Sequence, residues 1–156
     1  MQALVALALG AGLKAQELSS LVGSDVEKTD GGILITLPEV FGPRVVPVHA
    51  RWEDEVWAAA QRVEGRPIVL PARQTVYRSD LSRLLEKVSE PGSPEIKVAR
   101  LRVTWVLRQL ASGVRLDAVA RAAGVNPTQL AKYVRFLPPL GEDEARAALR
   151  GSGWDR

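Results

Sequence analysis

"ARLRVTWVLRQLASGVRLDAVARAAGVNPTQLAKYVRF", residues 99–136, carries the fold of this chain in its spacing. The first part belongs to a helix running through "EIKVARLRVTWVLRQLASG". Then Val119, Ala120 and Ala123 close a second helix, Gly124 permits a turn, Val125 plugs it, and Leu130, Tyr133 and Val134 recur at helical spacing. That is the pattern of a helix-turn-helix whose second helix, "NPTQLAKYVRFL", offers Gln129, Lys132 and Arg135 to a DNA groove or to phosphates. An αα-hairpin packed inside a larger helical domain fits the same spacing. Arg102, set among apolar residues, is a structural cation, a nucleic-acid contact or the remainder of an active site.

Charge favours a polyanionic partner. Between Lys97 and Arg135 there are eight basic residues and one acid, Asp117, so this segment carries +7 while the rest of the chain carries −4. A field concentrated in this way suits nucleic acid better than the overall +3 suggests, although a solvated helical face is the plainer reading.

The 156 residues are 46% hydrophobic and 25% charged, the profile of one globular domain with a core. "ALVALALGAGL" is too short and too glycine-interrupted to span a membrane, and no basic residue precedes it as in a signal peptide. The chain has no cysteine, which excludes disulfides and thiolate chemistry and fits a cytoplasmic protein. A single histidine, His49, argues against zinc sites and serine–histidine triads, and no metal or other cofactor is expected. Gly10-Ala11-Gly12 is followed by no lysine-serine or lysine-threonine pair at phosphate-loop spacing, and Asp25, Glu27 and Asp30 lack the closing glutamate of a calcium loop.

Outward from the opening stretch, "QALVALALG" and "KAQELSSLVG" read as two short helices. "GGILITLP" and "PRVVPVH" form a β-hairpin turned by "EVFG", its prolines placing short strands near an edge. "RWEDEVWAAAQRV" and "TVYRSDLSRLLEKV" are amphipathic helices, with "RPIVLPA" between them as a third strand or an extended connection. "SEPGSP" is a loop within one domain. "EDEARAALRG" forms a last helix, and the tail "GSGWDR" is expected to be loose. The division is residues 1–140 as one domain and 141–156 as a C-terminal helix and tail.

From Ala3 to Leu137 the order of segments resembles the catalytic domain of tyrosine recombinases, the phage integrase family. "GAGLKAQEL" is similar to that family's Gly-x-Gly-Leu-Arg run followed by Glu-Leu, "PRVVPVH" to its hairpin strand, and the stretch from Ala99 to its His-x-Leu-Arg-His-Thr motif, Leu-Gly-His turn and tyrosine. The resemblance implies an α+β, mainly helical fold with a small antiparallel hairpin or three-stranded sheet. It also implies a chemistry: a tyrosine attacks the scissile phosphate, two arginines stabilise the growing negative charge, and a lysine and histidines move protons.

Carried over by residue, the resemblance makes Arg102 the second arginine and Tyr133 the nucleophile, with Lys14 in place of the first arginine. Lysine is a point charge where the family has a bidentate fork. The hairpin has no lysine, only Arg44, and Ala99, Val103 and Val125 stand where the family has histidines or their equivalent. Each such group commonly contributes about 10² to 10⁴ in rate, so efficient strand exchange is not expected. Because the resemblance begins at Ala3, no counterpart of the family's N-terminal DNA clamp is expected within this sequence, and the expectation is a fragment of a longer protein or a stand-alone relic.

Three readings follow. The first is a catalytically degenerate accessory or regulatory protein on mobile or plasmid DNA, contacting duplex DNA through Arg44, Arg100, Arg102, Arg108, Gln129, Lys132 and Arg135. The second is a divergent active integrase using Tyr133, Arg102 and Lys14. The third is an interaction module without DNA contact. The opportunity of this third reading lies in the C-terminal helix "EDEARAALRG", the candidate contact to a second copy or another recombinase subunit.

Overall fold

The computed structural model describes residues 1–63, 65–90 and 92–150; the tail "GSGWDR" lies outside them. Helices α1 (Gln2–Gly10) and α2 (Ala15–Ser20) come first. An antiparallel sheet follows, with strands β1 (Val26–Thr29), β2 (Gly32–Leu37) and β3 (Arg44–Pro47) in that spatial order. Its register pairs Val26 with Ile35 and Ile35 with Val46, which puts three β-branched residues in one buried row. Helices α3 (Glu53–Gln61) and α4 (Arg78–Glu86) complete the first half, and α5 (Val98–Ala111), α6 (Leu116–Ala123), α7 (Pro127–Ala131) and α8 (Glu142–Leu149) the second. The architecture is thus mainly helical with one small three-stranded sheet, as the resemblance implies.

One open alternative is decided and one expectation needs correction. The third strand is β1, and "RPIVLPA" is a connection, since Pro67 and Pro71 lack the amide hydrogen a ladder requires. That segment makes only an isolated bridge from Val22 to Pro67, while Ile68 and Val69 are buried. The helix expected over "NPTQLAKYVRFL" ends at Ala131 and tightens into a 3₁₀ turn over Val134–Phe136. Pro138 holds Leu137 extended, at φ −70° and ψ 143°, and this stops the helix from continuing.

The interior divides in two. The larger core gathers α1–α4 and the sheet around Leu4, Leu7, Leu13, Leu18, Ile35 and Leu81. The smaller joins α5, α6 and α7 through Trp105, Val106, Val119, Ala120, Ala123 and Leu130. Helix α5 crosses between them, with Val98 in the first and Trp105 in the second. Where they meet, Gly12 takes a left-handed conformation (φ 62°), and a Cβ there would lie 2.3 Å from Trp105 Cε3. Only glycine fits that approach.

Candidate functional site

The seam between the two cores is polar, and its centre is the C-terminal end of α6. A helix ends with carbonyl groups that lack intrahelical partners and carry partial negative charge. Here a left-handed Gly124 (φ 60°, ψ 49°) terminates α6, and three cations satisfy the exposed carbonyls. Arg44 Nε donates to Ala122 O at 2.9 Å, Arg102 Nη2 to Ala123 O at 2.5 Å, and Lys14 Nζ to Gly124 O at 3.0 Å. The same residues reach back to the larger core. Arg102 Nη1 donates to the carbonyl of Gly12, and Arg44 Nη2 donates to Glu17 Oε1 at 2.7 Å.

Glu17 is the one carboxylate in this cluster. Its side chain has no exposure at all, Lys14 N donates to its Oε2 at 2.7 Å, and Lys14 Nζ stands 3.9 Å from its Oε1. A buried carboxylate is tolerable only when paired and hydrogen-bonded, and Glu17 has both. The sequence contained a signal for it: Lys14, Glu17, Leu18 and Leu21 share one helical face, so an acid at Glu17 had to point inward beside the leucines. Burial pushes the Lys14 ammonium below its ordinary pKa; Glu17 opposes this, and Arg102 and Arg44 reinforce it. The Arg102 guanidinium is lowered for the same first reason, burial, again against the pull of Glu17. Three cations therefore share one carboxylate and a helix end.

The expected site residues separate into groups. Arg102 and Tyr133 do meet: together with Ala99, Val103, Val125 and Lys132 they line one cleft of about 370 Å³. Lys14 does not line this cleft but points to Gly124. Arg44, expected at a DNA face, is internal instead. Its side chain is 7% exposed, and it donates to Glu17, Ala122, Phe41 and Gly42. Gln129 is exposed, but its Oε1 accepts from Asn126 N at 3.2 Å in the capping box that opens α7, so only its amide NH₂ is free for a ligand.

Arg100 and Arg108 lie elsewhere on α5. At about 100° per residue, the face formed by Ala99, Arg102, Val103 and Val106 turns toward the cleft, and both arginines fall on the outward side. Lys132 and Arg135 stay beside the cleft region, with Lys132 Nζ 5.1 Å from the Tyr133 ring centroid and Arg135 Cζ 4.7 Å from that of Phe136. Among the described residues, Arg100, Arg108, Arg121, Lys132 and Arg135 form no salt bridge with a carboxylate.

Among the described residues, no histidine and no carboxylate accompanies Tyr133 in the cleft. The chain's one histidine lies against the other side of α5, in a separate cleft with Trp105 and Val48, where its Nδ1 accepts from Arg51 N at 3.2 Å. The cleft's walls at Ala99, Val103 and Val125 are hydrocarbon. As built, the arrangement can hold an anion through Arg102 and Lys132, but it has no histidine to accept the tyrosine's proton or to protonate a leaving group.

No protein-family model and no curated protein matches the sequence. Solved structures do match. The XerA recombinase superposes with a TM-score of 0.70 at 15% identity, over 97% of this chain and 55% of that one. The Tn1549 transposon integrase in complex with a circular intermediate DNA gives 0.62 at 21% identity, over 96% and 57%. The XerH site-specific recombinase, bound to palindromic difH substrate in a post-cleavage complex, gives 0.67 at 16% identity, over 99% and 45%. At these identities the likeness is one of fold, and it is the tyrosine-recombinase fold anticipated from the sequence. The chain spans about half the length of the solved chains that it matches.

Proposed function

We propose that this chain is a DNA-binding protein of tyrosine-recombinase fold that does not cleave DNA efficiently and acts as an accessory or regulatory factor on mobile or plasmid DNA. The observation that carries the DNA reading is the set of exposed cations, Arg100, Arg108, Arg121, Lys132 and Arg135, left without carboxylate partners among the described residues. Such charges gain most from a phosphate backbone, where each contact releases counterions. Lys132, Arg135 and the free amide of Gln129 contact phosphates near the cleft, with Arg102 reaching them from its base. Arg100 and Arg108 contact a different part of the backbone. Arg44 is left out of the interface because its donors are engaged internally. The helix α7, five residues long, serves this backbone contact better than deep reading of a groove.

The loss of proton chemistry around Tyr133 supports catalytic impairment. Its test is a nicked suicide duplex incubated with the protein: the expected result is bound DNA without a covalent adduct. A covalent adduct abolished by Tyr133→Phe would establish the active-integrase reading, with Arg102 as the phosphate-stabilising group in the cleft.

The C-terminal helix supports a second contact. Helix α8 buries none of its residues, and Leu149 is 89% exposed. We assign helix α8 to docking on a second copy or on another recombinase subunit. Light scattering of the wild type alone and on duplex DNA, against Leu149→Glu, tests this; equal masses for both proteins in both conditions refute it.

A further inference from the structure

The cleft at Arg102 is built for more than a phosphate group. Its lining combines four residues with polar side chains, Arg102, Lys132, Tyr133 and Gln129, with apolar ones. Among the described residues, no carboxylate lines it. Immediately behind, Arg102, Arg44 and Lys14 share the single carboxylate of Glu17, so the field at the base of the cleft is positive. Only two of the five N–H donors of Arg102 go to carbonyl groups, Gly12 and Ala123. The remaining wall is hydrocarbon from Val103, Val106, Val125 and Leu130, with Ala99 at its edge. A volume of about 370 Å³ lies within the range of small-molecule pockets.

From this geometry we infer that the cleft binds a small organic anion, with its charged head on Arg102 and Lys132 and an aromatic or branched aliphatic body against the valines and Leu130. A bare inorganic anion satisfies the cations but leaves the apolar wall in water. A neutral apolar molecule does the reverse, and a cation is repelled. Only a ligand with both parts uses both halves of the cleft, and the gain from the apolar half scales with the area it removes from water. This assignment goes beyond the DNA reading and does not depend on it, since the ligand is measured in the absence of DNA.

The test is calorimetric titration of the full chain at low salt with four probes: phenyl phosphate, benzoate, inorganic phosphate and benzyl alcohol. The expected result is that phenyl phosphate and benzoate bind at least about tenfold more tightly than either single-feature probe, the margin that burying a small apolar body supplies. Arg102 variants risk losing the fold, so the site is mapped with Ala99→Leu, an exposed position whose added side chain occupies the cleft. This variant should keep the wild-type melting temperature and weaken phenyl phosphate about tenfold, and Lys132→Ala should weaken benzoate more than benzyl alcohol. Equal affinity for inorganic and phenyl phosphate, or wild-type binding by Ala99→Leu, overturns the assignment.

Discussion

The chain contains two sets of cations that look alike in sequence and differ in use. Arg102, Arg44 and Lys14 turn inward, onto the C-terminus of α6 and the buried Glu17, and stitch the small α5–α7 core to the larger one. Arg100, Arg108, Arg121, Lys132 and Arg135 turn outward and take no carboxylate partner among the described residues. A buried cation must be held by fixed acceptors because its desolvation is costly, whereas an exposed one keeps its water and stays available to a partner. The inward set therefore governs stability, with Arg102 alone also lining the cleft, and the outward set governs binding.

The largest effect that breaks this division is expected at Glu17. Glu17→Gln leaves Arg44 buried without its counter-charge and should cost about 4 kcal/mol, read from urea unfolding. Arg102→Ala removes two charge-assisted bonds and orphans the carbonyls of Gly12 and Ala123, so about 3 kcal/mol is expected in the same measurement. Lys14→Met should cost about 1 kcal/mol, since its side chain is 36% exposed and makes one such bond.

Lys14 also sharpens the comparison through pH. Its pKa is lowered in the folded state by burial, so in the window between that lowered value and the ordinary 10.5 the unfolded chain binds more protons. Stability should rise with pH across that window, and the Lys14→Met variant should lose this rise in unfolding measured at alkaline pH. At the small end, Arg108→Ala should change stability by no more than about 0.5 kcal/mol while still weakening duplex binding.

Much of the fold is legible in the sequence. The hairpin of β2 and β3, the helices α1–α6 and the glycine turn at Gly124 all follow from periodicity and turn residues. Strand β1 was not, because "VEKT" carries one buried residue, Val26, and two exposed charges, and gains its identity only by pairing with β2. The change from α7 to a 3₁₀ turn after Ala131 was not readable, because Leu130, Tyr133 and Val134 keep helical spacing across it. For the site, the meeting of Arg102 with Tyr133 was readable from the family pattern, as was the absence of histidines around them. The inward use of Arg44 was not, because its acceptors at Glu17 and Ala122 are distant in sequence and are assembled only by the tertiary fold. Local pattern identifies a cation but not its partner.

The most direct test of the division compares duplex DNA affinity across salt for the wild type and a Lys132→Ala, Arg135→Ala double variant, with melting temperatures measured alongside. Each lost phosphate contact should reduce the slope of log affinity against log salt by about 0.9, so the double variant is expected to lose about two units at an unchanged melting temperature. An unchanged slope, or a wild type that shows no salt-dependent binding at all, would contradict the account.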